Sequence, residues 1–115
     1  MLEHKARAFL EARGETTDDW EGTCGELANE IVRPDDDIIY VEGCARWRFH
    51  MVPLIDGLIH DAWCEGPPLP IAEWLAKMFW GEEIELSLNG ETIYTGTAHE
   101  YSSRNALRET QPLMQ

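Results

Sequence analysis

Asp56-Gly57 stands between two apolar runs, Arg46 to Ile55 and Leu58 to Trp63. A two-residue Asp-Gly linker between β-forming segments is the mark of a tight hairpin, because glycine accepts the positive φ that a type I′ turn demands. Ile55 then pairs with Leu58, and every further pair is set. Val52 faces Asp61, and His50 faces Trp63. Side chains alternate along a strand, so His50, Val52 and Leu54 share one face with Ile59, Asp61 and Trp63. His50 and Asp61 become diagonal cross-strand neighbours, about 7–8 Å apart at the backbone. His60 turns to the opposite face with Met51, Pro53 and Ala62. It reads as a surface or satisfied histidine whose removal is expected to be nearly silent.

The rest of the chain follows from periodicity. Leu2, Ala6, Phe9 and Leu10 form a helical stripe that Gly14 ends. ETTDDWEGT is polar and reads as a loop. Cys24, Leu27, Ala28 and Ile31 recur at i, i+3, i+4, i+7, which predicts a short amphipathic helix with Thr23 as N-cap and Glu26 as its capping-box partner. Pro34 and the Asp35–Asp37 run end it. IIYVEG (38–43) is a strand, GPPLP (66–70) a rigid connector, and IAEWLAKMFW (71–80) a helix with Ile71, Trp74, Leu75 and Met78 on one face. EIELSLNGETIYTG (83–96) is a second hairpin on Asn89-Gly90. From Ala98 the chain is polar, and 98–115 reads as a loosely held tail. The expected fold is one α+β domain over 1–115, an antiparallel sheet of four or five strands with helices packed on it. A hydrophobic share of 43% with five Trp in 115 residues is enough for a core.

Nine Lys plus Arg against 22 Asp plus Glu give a formal charge of −13, which repels phosphate backbones and disfavours nucleic-acid binding. The charge has two readings, solubility or mimicry of nucleic acid in a basic groove of another protein. No apolar run approaches the roughly 18 residues of a membrane span. The first residues lack the apolar core of a secretory signal, so a cytoplasmic location is expected.

Cys24 sits at the predicted start of a helix, where the helix dipole favours a thiolate, the nucleophilic form of cysteine. An imidazole held by a carboxylate on the next strand is the orienting pair that such a nucleophile needs. Cys44, His50, His60 and Cys64 offer a rival zinc set, but the hairpin sends His50 and His60 to opposite faces and no pair has the tight spacing of a zinc knuckle. No metal and no cofactor is implied.

GTC at a helix start, then a strand RFHMVPLIDG and a return LIHDAW, resembles the papain-like and transglutaminase-like superfamily over residues 16–64. The resemblance implies Cys24 as nucleophile, His50 as general base and acid, and Asp61 as the residue that orients His50. No Gln precedes Cys24, so backbone N–H groups including that of Cys24 are the expected oxyanion donors. Trp63, opposite His50, is expected to wall a substrate cleft, and Trp20 and Thr23 in the preceding loop to line it. Trp74 is expected in the core. The implied activity is thiol-dependent acyl transfer on a protein or peptide substrate, as in a cysteine peptidase, isopeptidase, deamidase or transglutaminase. The acidic surface suits a partner with a basic patch, and the small size a bacterial or phage effector. Asp61→Asn is expected to keep partial activity. The alternative is a non-enzymatic acidic inhibitor or nucleic-acid mimic on a degenerate papain-like scaffold.

Overall fold

The computed structural model describes residues 3–43 and 49–110. Leu2, Cys44 and the Arg46 start of the expected strand lie outside them. Four helices, α1 (Lys5–Arg13), α2 (Cys24–Ile31), α3 (Ile71–Phe79) and α4 (Ala98–Thr110), accompany five strands: β1 (Asp37–Gly43), β2 (Phe49–Ile55), β3 (Leu58–Ile59), β4 (Glu83–Leu88) and β5 (Glu91–Thr97). The strands form one antiparallel sheet in the order β3-β2-β1-β4-β5. The class is α+β.

Both hairpin turns take the positive φ values that their sequences imply. Asp56 and Gly57 lie at 53° and 82°, Asn89 and Gly90 at 50° and 89°. Ile55 pairs with Leu58 and Leu54 with Ile59, as the turn dictates. The return strand, however, stops after two residues instead of reaching Trp63. Pro53 explains the stop. In this register its partner is His60, whose N–H donates to the Pro53 carbonyl at 3.1 Å. Proline has no N–H to return the bond, so the ladder loses a rung there. The chain leaves the sheet, and residues 60–63 turn across its edge.

One face of the sheet carries Ile39, Val41, Val52, Ile84 and Leu86 into a core with Trp74, Leu75 and Phe79 of α3. Ala98–Thr110 form α4 where a loosely held tail is expected, and residues 111–115 of that tail lie outside the described residues. Thr97 Oγ1 accepts the Glu100 N–H at 3.1 Å near the helix start. Ala98 is buried, and Tyr101 meets Tyr94 edge-on at 5.2 Å. A helix that buries only one narrow stripe reads as polar. The segment expected as a loop before Cys24 contains a 3-10 turn, Thr17–Trp20, with Asp19 accepting the Thr16 N–H at 2.8 Å. The Asp35–Asp37 run is tied into the fold: Arg33 binds Asp36 through two 2.9 Å contacts, and Asn89 donates to Asp37 at 2.8 Å. No helix among the described residues is long and apolar enough to cross a membrane.

His60 is buried, not superficial, and its Nδ1 accepts the Lys5 N–H at 2.9 Å. It thereby holds the first turn of α1, which Arg7 also ties down through the carbonyls of Cys64 and Gly66. His60→Ala should therefore not be silent. It should cost about 1–3 kcal/mol in urea unfolding by orphaning that N–H, with alkylation of Cys24 unchanged. Burial, then the charges of His4 and Lys5, push the His60 imidazole down to about 4. The folded state thus holds it neutral: the full stability is present above the ordinary value of 6.5 and is lost as pH falls towards 4.

Candidate active site

Cys24 opens α2, just after Gly22, whose φ of 81° turns the chain into the helix. α2 packs closely on β2 because residue 25 is glycine. A Cβ at Gly25 would stand 2.9 Å from the Met51 sulfur. The close approach brings the thiol to the open edge of β2, where the Met51 N–H points at Cys24 Sγ at 3.4 Å. In the hairpin register that N–H would have gone to Ala62, had β3 continued. The early end of β3 frees the donor for sulfur.

His50 projects from β2 onto the α3 side of the sheet. Its ring lies 23° from parallel to Trp74 at 6.3 Å, and Trp63 meets it edge-on at 5.4 Å. Its Nε2 contacts Asp61 Oδ1 at 3.0 Å. Cys24 and His50 line the same cleft, and each bears on the charge of the other. Asp61 is only 2% exposed. It accepts the Trp63 N–H on Oδ1 and the Trp74 indole N–H on Oδ2, both at 2.9 Å.

These contacts set the charges. Burial pushes the Cys24 thiol up, but hydrogen bonds from His50 and the Met51 N–H, the charge of His50 and the Gly25 N–H outweigh it, and the thiol lies below its ordinary 9.0. Burial disfavours charge on His50, yet its bonds to Asp61 and Cys24 and their negative charges raise it to about 9. Burial likewise works against the Asp61 carboxylate, and the bonds and charge of His50, with those from Trp74 and Trp63, bring it below its usual value. The set favours a thiolate–imidazolium pair braced by a carboxylate. Cys64 has the opposite setting: burial pushes its thiol up.

Cys24 and His50 both line a cleft of about 580 Å³ whose other sides include Phe49, Trp63, Met78 and Phe79. Trp63 lines this cleft from the segment after β3, not from a strand position opposite His50. Trp20 and Thr23 do not line the cleft. Trp20 packs edge-on against Phe9 at 6.0 Å and donates to Glu15 at 3.0 Å. Thr23 Oγ1 donates back to the Trp20 carbonyl at 2.8 Å, so it does not cap α2, and the expected capping box with Glu26 is absent. The hydroxyl is used by the preceding turn, and Thr23 gives the first N–H groups of α2 no side-chain bond. Among the described residues no group of three or more His, Cys, Asp or Glu converges as a metal site; Cys44 of the zinc set lies outside them.

Sequence reasoning missed the second role of Trp74. Its place on the apolar stripe predicts burial, which holds, but nothing in the spacing shows that its indole reaches Asp61. Comparison with family models, curated proteins and solved structures finds no match.

Proposed function

We propose that this chain is a thiol-dependent acyl-transfer enzyme of the papain-like kind, acting on a protein or peptide through Cys24, His50 and Asp61. The observation that carries the reading is a cleft lined by both Cys24 and His50, with His50 Nε2 held by the buried Asp61 at 3.0 Å. The Cys24 thiolate attacks a carbonyl carbon, forming a C–S bond. The His50 imidazolium gives its proton to the leaving amine as the C–N bond breaks. Water or a second amine then resolves the thioester, with His50 taking back a proton. The first N–H groups of α2 supply donors for the oxyanion in place of a glutamine. Asp61 holds the imidazole and stabilises its charge. The net charge of −13 favours a partner with a basic patch.

The test is thiol mapping. Under limiting iodoacetamide near neutral pH, mass spectrometry should find Cys24 labelled well before Cys64. Labelling of Cys64 with Cys24 inert would reduce Cys24 to a packing residue and remove the reading.

A further inference from the structure

A thiolate that attacks carbonyl carbon is also the form of cysteine that peroxides oxidise. We propose that Cys24 and the backbone nitrogen of Met51 together form a modification site for hydroperoxides, at which oxidation closes a reversible sulfur–nitrogen bond between α2 and β2. Only the reactivity of the Cys24 thiolate is shared with the acyl-transfer reading. The bond adds a function to it: a sulfenamide switches the nucleophile off and shields it from irreversible oxidation.

The position of the amide carries it. β3 ends at Ile59, short of Met51, and the Met51 N–H points at Cys24 Sγ at 3.4 Å. An amide nitrogen is planar, and in a sulfenamide the sulfur takes the direction that the N–H bond had. Cys24 already stands in that direction, so the bond forms without turning the strand. The next residue of α2, Gly25, faces Met51 and brings no side chain that would hold the helix off. Cys24 is half-buried on a cleft that a small peroxide can enter. Cys64 has neither feature. It is buried, and its Sγ donates to the carbonyl of its neighbour Glu65 at 3.7 Å.

The chemistry balances in two steps. The thiolate attacks one oxygen of hydrogen peroxide, an S–O bond forms and the O–O bond breaks. Sulfur is oxidised by two electrons to the sulfenic acid, and the hydroxide released takes a proton from the His50 imidazolium and leaves as water. The Met51 nitrogen then bonds to sulfur as the S–O bond breaks, and the departing hydroxide carries off the amide proton as a second water. A thiol reductant reverses the change, returning the Cys24 thiol and the Met51 N–H as it is itself oxidised to a disulfide.

The experiment treats the whole chain with hydrogen peroxide, removes the excess with catalase and blocks the remaining thiols with iodoacetamide. Peptides are cut with pepsin in acid, without reductant, and read by tandem mass spectrometry. Cys24 should lose its iodoacetamide label. A linked pair should appear that joins the Cys24 peptide to the Met51 peptide and is lighter than their sum by two hydrogens. Dithiothreitol should dissolve the link and restore the label. Met51→Pro has no amide hydrogen to lose, so it should give no link and should carry Cys24 on to the sulfinic acid at the same dose. The linked pair in the unaltered chain decides the matter even if that variant folds poorly. Cys24 recovered as sulfenic or sulfinic acid, or in a disulfide with Cys44 or Cys64, without a link to Met51 would overturn the proposal. Brisk iodoacetamide labelling of the unoxidised chain would then leave the acyl-transfer reading standing. A Cys24 inert to both peroxide and iodoacetamide would overturn both.

Discussion

His50→Ala should slow alkylation of Cys24 near neutral pH, because the thiolate is the reacting form and the imidazole helps to hold the thiol below its ordinary value. The sign follows from the balance of forces. His50 supplies a hydrogen bond and a positive charge that favour the thiolate, while burial opposes it. With the imidazole gone only the Met51 and Gly25 N–H groups still favour charge, and the thiol rises towards or beyond 9.0. The pH profile separates this from a general loss of structure. In the unaltered chain the rate should climb as Cys24 ionises below its ordinary range and then level. Turnover should fall again as His50 loses its proton through about 9, since no acid then remains for the leaving amine. In His50→Ala the alkylation rate should simply climb with pH. Superimposable profiles for the two proteins would take His50 out of the site.

Asp61→Asn should be nearly as damaging as Asp61→Ala, against the expectation from sequence that it keeps partial activity. Three donors converge on this carboxylate: His50 and the Trp63 N–H on Oδ1, and the Trp74 indole on Oδ2. Asparagine offers one acceptor oxygen and one NH₂ group. If the oxygen serves His50, the NH₂ meets the Trp74 N–H, donor against donor. If it is flipped, the NH₂ meets the Trp63 N–H and offers His50 a proton instead of accepting one. Either way a buried donor goes unpaired, at a cost of about 1–3 kcal/mol, and the imidazolium loses its counter-charge. Activity should fall by roughly 10²-fold or more, with a lower urea midpoint. Trp74→Phe removes one of the clashing donors. In the Asp61→Asn background it should restore part of both losses, whereas in the unaltered chain it should be harmful. Additive losses in the double variant would show that Trp74 and Asp61 are not coupled through this bond.

The turn chemistry made the hairpin legible: Asp56-Gly57 sets the pairing of Ile55 with Leu58 and of Leu54 with Ile59, whereas Asp61 meets His50 from beyond the end of β3. What the pattern of apolar residues hid was how far the pairing runs. Pro53 carried the signal, since a missing N–H inside a strand means a rung that cannot close. The same rung decides which atom the Met51 amide meets. The contact between Trp74 and Asp61 was not legible, because it joins a helix stripe to a loop through tertiary packing. Thr23 misled for a related reason: a hydroxyl before a helix has two neighbours to bond, and local sequence does not say that the Trp20 carbonyl wins. The helix at Ala98–Thr110 hid behind its charge, with Ala98 and Tyr101 as its inward-facing trace.

The short β3 also bears on how such a molecule would fail. A strand edge with unpaired amides is a template on which a second chain can add, and most proteins blunt such edges with charge, proline or a covering element. Here the edge of β2 beyond Pro53 is covered by α2, and its Met51 amide is taken by the thiol itself. Guarding the sheet and presenting the nucleophile are therefore the same act. A change that unseats α2 exposes the edge at the moment it disarms the cysteine. Inactive molecules of this kind will be the sticky ones, and their loss from solution will track loss of the thiolate.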